Sequence, residues 1–427
     1  MEFHKYAKTP PKGWNSWDCY GASVTEKEVK ANAEYMARHL KDYGWEYVVV
    51  DIQWYEPLAN SSKYRKFADL EMDNYSRLVP AVNRFPSAKD GNGFKLLGDY
   101  IHDLGLKFGI HIMRGVPRQA VHLNTPIKGS TATARDIAKP NSISPWNTDM
   151  YGVDVSADGA REYYKSLIEL YSSWGVDFIK VDDIADSKLY GAHLEEIELL
   201  RELIDEVDRE IVLSLSPGPA SLEHGSFLQK NANMWRLTDD YWDTWPQLYD
   251  MFERCEKWAP FVKEGTWPDC DMLPLGHIGI RSTDGGASDR MTRFTKEEQR
   301  TMMSLWSLFK SPLFFGGELR DNDHWTLSLL QNKELLKMHE IGKNPQQVYR
   351  KEDIVIWHST NDEAEDYIAV FNLKDNQENV SLSLKNYLQN QPSKGLNIWD
   401  QEVITVTDTL SLDIAPHDVK LFKFYNA

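Results

Sequence analysis

The apolar run FIKVDDIAD, residues 178–186, ends abruptly in charge, with Lys180, Asp182 and Asp183 close together. In an extended strand, residues two apart face the same side, so Lys180 and Asp182 share a face. Asp183 then points away or caps the next helix. A lysine beside a carboxylate keeps that carboxylate ionised at neutral pH, as a nucleophile or a hydroxyl ligand requires. A second pair, Arg236 and Asp240, brackets the end of MWRLTDD. Two carboxylates facing one sugar, one ionised and one protonated, are the minimum equipment for hydrolysing a glycosidic bond. Other apolar runs also close on a polar group: Asp51 in VVVD, His111 in FGIH and Ser216 in VLSLS, with Asp271 in DCDM.

These residues need a scaffold that gathers strand ends. The runs WEYVVVD (45–51), LKFGIHIM (106–113), VDFIKVD (176–182), EIVLSLS (210–216), NMWRLTD (233–239) and PLFFGG (312–317) read as strands, with GWNSWD (13–18) and TWPDCDM (266–272) weaker. Helical patterns lie between them. TEKEVKANAEYMARHLKDYG opens with Thr25 and Glu28 in capping-box spacing, and FTKEEQRTMMSLWSLF repeats the device with Thr295 and Glu298. AREYYKSLIELYSSWG ends on Gly175, a natural helix stop. The acidic stretch 195–210 reads as a solvated outer helix face. Eight β-then-α units point to an α/β fold, a (β/α)8 TIM barrel, over residues 1–342. A doubly wound sheet is the alternative, but no glycine-rich phosphate loop opens one. From 343 to 427 the pattern becomes short, alternating and turn-punctuated, which predicts a C-terminal antiparallel β-sandwich domain. In a barrel, side chains at the C-terminal strand ends project into the active-site mouth, so the terminal charges collect on one rim.

Two other chemistries use some of the same residues. Asp51, Asp182 and Asp271 could ligate Mg2+ in a barrel lyase or isomerase, but Lys180 would compete with the cation. A non-catalytic sugar-binding protein would have no need of both carboxylates. The reading therefore requires no metal and no cofactor.

The 427 residues carry a net charge of -17, which disfavours nucleic acid or an anionic membrane surface as partner and leaves a neutral substrate open. Fifteen tryptophans suit a large core, and also suit sugar binding, where a flat apolar ring covers the C–H face of a pyranose. No apolar leader opens the sequence and no run is long enough to span a bilayer. Three unclustered cysteines fit a reducing cytoplasm, where the sequons at Asn60 and Asn379 carry no meaning. A small-molecule or oligosaccharide substrate is the expected partner, with self-association left open.

Taken in order, GWNSWDCYG, VVVDIQW, FIKVDD, WRLTDD and WPDCDMLPLG resemble the motifs of glycoside hydrolase family 27, the α-galactosidases and their relatives in clan D. The resemblance spans the barrel and reaches the C-terminal domain. It implies a retaining double displacement with Asp182 as nucleophile and Asp240 as acid/base. It also implies Trp17 as the platform beneath the sugar, and Asp51 and Lys180 on its O3/O4/O6 side. Arg236 falls on the O2 side, and Asp271 and Met272 at further pocket positions. The sequence departs from that pattern in several places. Ile52 follows Asp51 where α-galactosidases of the family carry a second acid, and His111 replaces a tyrosine. Ser216-Pro217 replaces a Glu-Trp pair, and the cysteines flanking the nucleophile are absent. An apolar Ile52 facing the hydroxymethyl of galactose removes a hydrogen-bond partner. The same sugar without C6 is β-L-arabinopyranose, so the expected activity is release of terminal β-L-arabinopyranose, with weaker action on α-D-galactosides.

Overall fold

The structure is a computed structural model that describes residues 2–61, 63–283, 288–388 and 392–426. Eight strands form one parallel sheet: β1 (Lys12–Asn15), β2 (Tyr47–Val50), β3 (Lys107–Met113), β4 (Phe178–Asp182), β5 (Val212–Leu215), β6 (Met234–Arg236), β7 (Trp267–Asp269) and β8 (Leu313–Phe315). The hydrogen-bonded order runs from β7 back through β2 and β1 to β8. The ends are joined just past β7, where Leu273 bridges Phe315 in parallel, its N–H donating to the Phe314 carbonyl at 2.7 Å. The curled sheet is thus the expected barrel.

Helices follow the strands in turn: α1 (Glu26–His39), α2 (Lys95–Asp103), α3 (Ala160–Ser173), α4 (Leu194–Asp205), α5 (Gly225–Asn231), α6 (Trp245–Trp258) and α7 (Lys296–Phe309), then a pair, His324–Leu330 and Lys333–Ile341. Both predicted capping boxes are formed, by Thr25 with Glu28 and by Thr295 with Glu298. Gly175 takes the left-handed conformation just after α3. The acidic stretch 195–210 is less solvated than expected. Glu196 and Arg201 of α4 are buried, because α4 turns those positions toward the barrel while its other acids face water. Unforeseen in the sequence is a small antiparallel sheet of Val116–Pro117, Ala138–Ile143 and Met150–Val153, inserted after β3.

Burial alternates along the strands and explains where the charge goes. Tyr47, Val49, Phe178, Val212, Met234, Trp267 and Phe314 pack together as one core inside the barrel. A separate core of intervening residues, such as Val48, Val50, Ile179 and Leu213, faces the helices. Continuing the inward register by two residues from each apolar position gives Asp51, Lys180, Ser214, Arg236 and Asp269. A further step gives Asp182, Ser216 and Asp271. The barrel interior therefore changes from apolar to charged within one layer, as it nears the C-terminal ends of the strands. Gly13 belongs to this tight packing: a Cβ there would lie 2.4 Å from the Tyr47 carbonyl oxygen.

Beyond Ile341 the chain forms an antiparallel domain. Its main sheet contains Lys343–Lys351, Ile354–Thr360, Asp366–Asn372, Val419–Tyr425, Lys394–Asn397 and Glu402–Thr405, in that spatial order. A two-stranded ribbon, Glu378–Ser383 with Thr409–Ile414, packs on one face, burying Ile356, Ile368, Leu382, Leu412 and Phe424 between the layers. The opposite face of the sheet joins the barrel core through Val355, Trp357 and Phe371. No described helix is long and apolar enough to cross a membrane.

Candidate active site

At the C-terminal mouth of the barrel a cavity of about 230 Å³ is bordered by Trp17, Asp51, Ile52, Lys180, Asp182 and Arg236, and also by Asp240 and Met272. Asp182 lies at the end of β4 and is held at both carboxylate oxygens. The Asp183 backbone N–H donates to Oδ1 at 2.7 Å, and His111, with its proton on Nε2, donates to Oδ2 at 3.0 Å. Burial opposes ionisation of Asp182, but His111, Lys180 and the Asp183 amide outweigh it and hold the carboxyl well below the usual range. Lys180 Nζ pairs with Asp51 Oδ2 at 2.9 Å. Despite burial, the nearby carboxylates push Lys180 above its ordinary value, so it stays charged. Asp51 is likewise buried yet held low by Lys180, His111 and Asn15. The Lys180 ammonium sits against the Asp51 oxygen that a cation would need, which is the conflict a metal-lyase reading faces.

Asn15 ties the platform to this pair. Its Nδ2 donates to Asp51 Oδ2 at 2.8 Å, and its Oδ1 accepts the Trp17 backbone N–H at 2.9 Å. Ile52 is buried, and its N–H donates to Asp51 Oδ1 at 2.9 Å, fixing its side chain next to the Asp51–Lys180 pair. On the opposite wall Arg236 Nη2 reaches Asp240 Oδ1 at 3.1 Å and Asp271 Oδ2 at 2.8 Å. Burial raises the Asp271 carboxyl against the pull of Arg236, while Asp240 keeps 64% of its side chain exposed at the mouth. One residue thus offers an ionised carboxylate from the floor, and another a solvent-reached carboxyl at the rim.

Among the predicted residues, His111 and Asp271 do not border the cavity but contact Asp182 and Arg236, which do. Ser216 also departs from its expected place on the wall. It turns inward to a small void shared with Ser214, Arg236 and Asp269, its Oγ donates to the Val181 carbonyl at 3.4 Å, and Pro217 borders the cavity instead. Asp183 neither caps a helix nor faces water. It is buried and pairs with Arg114 at 3.0 Å.

The cavity also has walls that sequence patterns do not reveal. Tyr64 stacks with Trp17 at a centroid distance of 6.0 Å and meets Trp146 at 5.5 Å, extending the aromatic surface. Trp242 borders the acidic side, and Lys188 pairs with Asp239 at 3.2 Å across the rim. Tyr64 and Trp146 come from loops far apart in the chain, so only an abundance of tryptophan hinted at them.

Comparison with known proteins places this geometry among sugar hydrolases. A family model described as Alpha galactosidase A matches residues 148–340. A GH27 β-L-arabinopyranosidase from Geobacillus stearothermophilus, solved in complex with arabinose, is 63% identical, with TM-score 0.98 over 100% of this chain and 99% of that one. A putative α-N-acetylgalactosaminidase from Bacillus halodurans is 56% identical, with TM-score 0.89 over 98% and 97% of the two chains. Alpha-galactosidase 3 of Arabidopsis thaliana is 29% identical over 335 residues, which is 78% of this chain and 61% of that protein.

Proposed function

Because this chain belongs to glycoside hydrolase family 27, we propose that it is a retaining exo-glycosidase releasing terminal β-L-arabinopyranose, with weaker activity on α-D-galactosides. The observation that carries the specificity is Ile52, buried on the cavity wall beside Asp51 and Lys180. Asp51 and Lys180 can bond ring hydroxyls, but isoleucine cannot bond one. A hydroxymethyl pressed against it leaves a buried hydroxyl unpaired, at about 1–3 kcal/mol, and also needs room that the branched side chain fills. A pentopyranose has nothing at that position to strand. Similarity to the Geobacillus arabinopyranosidase supports the same reading.

In this mechanism the ionised Asp182 attacks the anomeric carbon while Asp240 protonates the departing glycosidic oxygen. The C–O bond to the aglycone breaks as the bond to the Asp182 carboxylate forms. Asp240, now a carboxylate, takes a proton from water, whose oxygen attacks the same carbon and frees Asp182. Two inversions leave the configuration unchanged. The exposed position of Asp240 suits a group that meets both an aglycone and bulk water.

The test is kcat/KM for p-nitrophenyl β-L-arabinopyranoside against the α-D-galactopyranoside. Preference for the arabinoside is expected, and a strong preference for the galactoside would make the enzyme an α-galactosidase, the reading that the Arabidopsis relative favours. Proton NMR of the first-formed sugar checks the stereochemistry, since an inverted anomer is incompatible with Asp182 as nucleophile. Full hydrolysis by Asp182→Ala would remove that assignment independently.

A further inference from the structure

The nucleophile's carboxylate is aimed by a backbone that is itself in an uncommon conformation. Asp183 has φ +59°, the left-handed region that non-glycine residues seldom occupy. That conformation turns its N–H back onto Asp182 Oδ1 at 2.7 Å. One side chain grips this turn. Arg114, buried at the end of β3, donates from Nε to the Asp183 carbonyl at 2.6 Å, and its Nη2 pairs with Asp183 Oδ2 at 3.0 Å. Its own backbone N–H donates to the Asp182 carbonyl at 3.1 Å. The grip is anchored in turn, since Arg114 Nη1 lies 3.6 Å from Glu196 Oε1 and Glu196 Oε2 accepts the Tyr164 hydroxyl at 2.5 Å. Gly115, next in the chain, donates its N–H to that same hydroxyl at 3.0 Å.

Arg114, Asp183, Glu196 and Tyr164 do not border the sugar cavity, so this buried polar network does not serve substrate contact. We propose that Arg114 is a positioning residue. By clamping both the carbonyl and the side-chain carboxyl of Asp183 it holds the left-handed turn, and through the Asp183 N–H it fixes the rotamer of the nucleophile. The proposal rests on Asp182 being the nucleophile of a retaining reaction. It predicts that loosening the clamp slows attack at the anomeric carbon without weakening sugar binding, because Asp51, Lys180 and Arg236 are untouched.

Three variants test it. Arg114→Lys keeps the charge, but a single ammonium cannot reproduce the Nε and Nη2 contacts together. Asp183→Thr puts a β-branched residue where φ is positive, whereas Asp183→Asn tolerates that conformation. Two quantities are read: steady-state kcat and KM, and the rate at which a cyclitol aziridine of arabino configuration esterifies the nucleophile, followed by mass spectrometry. Arg114→Lys should lower kcat and the labelling rate together, on the order of 10- to 100-fold, with KM within about threefold. Asp183→Thr should fall at least about tenfold below Asp183→Asn in both readouts. If Arg114→Lys lowers only the Tm, and the folded enzyme keeps its kcat and labelling rate, the clamp is merely structural and the proposal is overturned. Should Arg114→Lys fail to fold, the two Asp183 variants decide, and equal rates in them overturn it. Label on a wild-type residue other than Asp182 overturns the nucleophile assignment, and the clamp with it, before any variant is compared.

Discussion

At the scale of single residues, most of the chemistry follows from one alternation. Phe178, Lys180 and Asp182 share the inward face of β4, so apolar core, cation and carboxylate stack in that order toward the mouth. Ile52 breaks from this register and instead supplies a wall. Ile52→Asp should therefore shift the arabinoside-to-galactoside ratio of kcat/KM toward galactoside by at least about 10- to 200-fold, the range that a single methylene group commands in a substrate pocket. Paired kinetics on the two nitrophenyl glycosides checks this, and an unchanged ratio would mean that Ile52 does not face the C5 substituent. His111→Phe makes a separate prediction. Without the Nε2 donor, the Asp182 carboxyl rises toward the ordinary range, so less of it is ionised in acid. The acid limb of the kcat/KM profile should move to higher pH, with activity lost first at the acid end. Residues of this kind could be read from the sequence because a strand's period of two carries them. Tyr64, Trp146 and Trp242 could not, since loops have no period and their convergence is a tertiary fact. Ser216 shows the limit of the rule: its parity is right, but the chain bends at Pro217, which takes the place on the wall.

At the scale of elements, caps were more legible than lengths. The Thr295–Glu298 box is formed as its spacing predicts, with the Glu298 N–H donating to Thr295 Oγ1 at 3.2 Å and Glu298 Oε2 accepting the Thr295 N–H at 2.9 Å. Glu298 also faces His417 of the C-terminal domain at 2.9 Å, so this cap braces the helix against its neighbour. Thr295→Ala should cost about 1 kcal/mol. In a chain of this size that lowers the Tm by about 1–3 °C, readable by calorimetry, with kcat unaltered. The two weakest strand assignments were the two most broken by polar and aromatic residues. They correspond to β1 and β7, short strands of 4 and 3 residues whose apolar stretch ends where the site begins. The sheet of Val116–Pro117, Ala138–Ile143 and Met150–Val153 was illegible for a similar reason. Its longest strand, AKPNSI, lies at an edge and is largely polar and exposed, with no inward face to produce an alternating pattern.

At the scale of the whole molecule, barrel and C-terminal domain share one core, in which Phe252 of α6 meets Phe371 and Phe309 of α7 meets Trp357. Arg300 of α7 pairs with Asp418 at 2.8 Å, and Trp245 stacks on His417 at 3.5 Å. A joint this apolar couples the two parts, so heating should give one transition rather than two. The pH dependence of that transition has a sign that can be worked out. Asp51 and Asp182 are depressed, so their stabilisation is present above the ordinary aspartate value of about 3.9 and is lost as acid protonates them. Asp183 and Asp269 behave oppositely. Burial, with help from neighbouring acids, pushes each up to about 7 against the pull of Arg114 and Arg236 respectively. Their folded forms keep protons that the unfolded chain has already released, so stability falls as pH rises from about 3.9 to about 7. Asp18, Asp149, Glu196 and Asp271 are raised too and add to the fall. Half-buried His193, pushed down to about 4, buried His339, also lowered, and buried Lys310, pushed down to about 7, pull the other way, but they are outnumbered. The Tm should therefore peak in mild acid, being higher near pH ~5.5 than near pH ~8. Asp269→Asn isolates one contributor. Its amide can still accept the Asp271 N–H, which the native carboxyl does at 2.9 Å, but it no longer titrates. The decline in Tm between those two pH values should become shallower in this variant. An identical slope would mean that Asp269 is ionised throughout, held by Arg236 more strongly than its burial opposes.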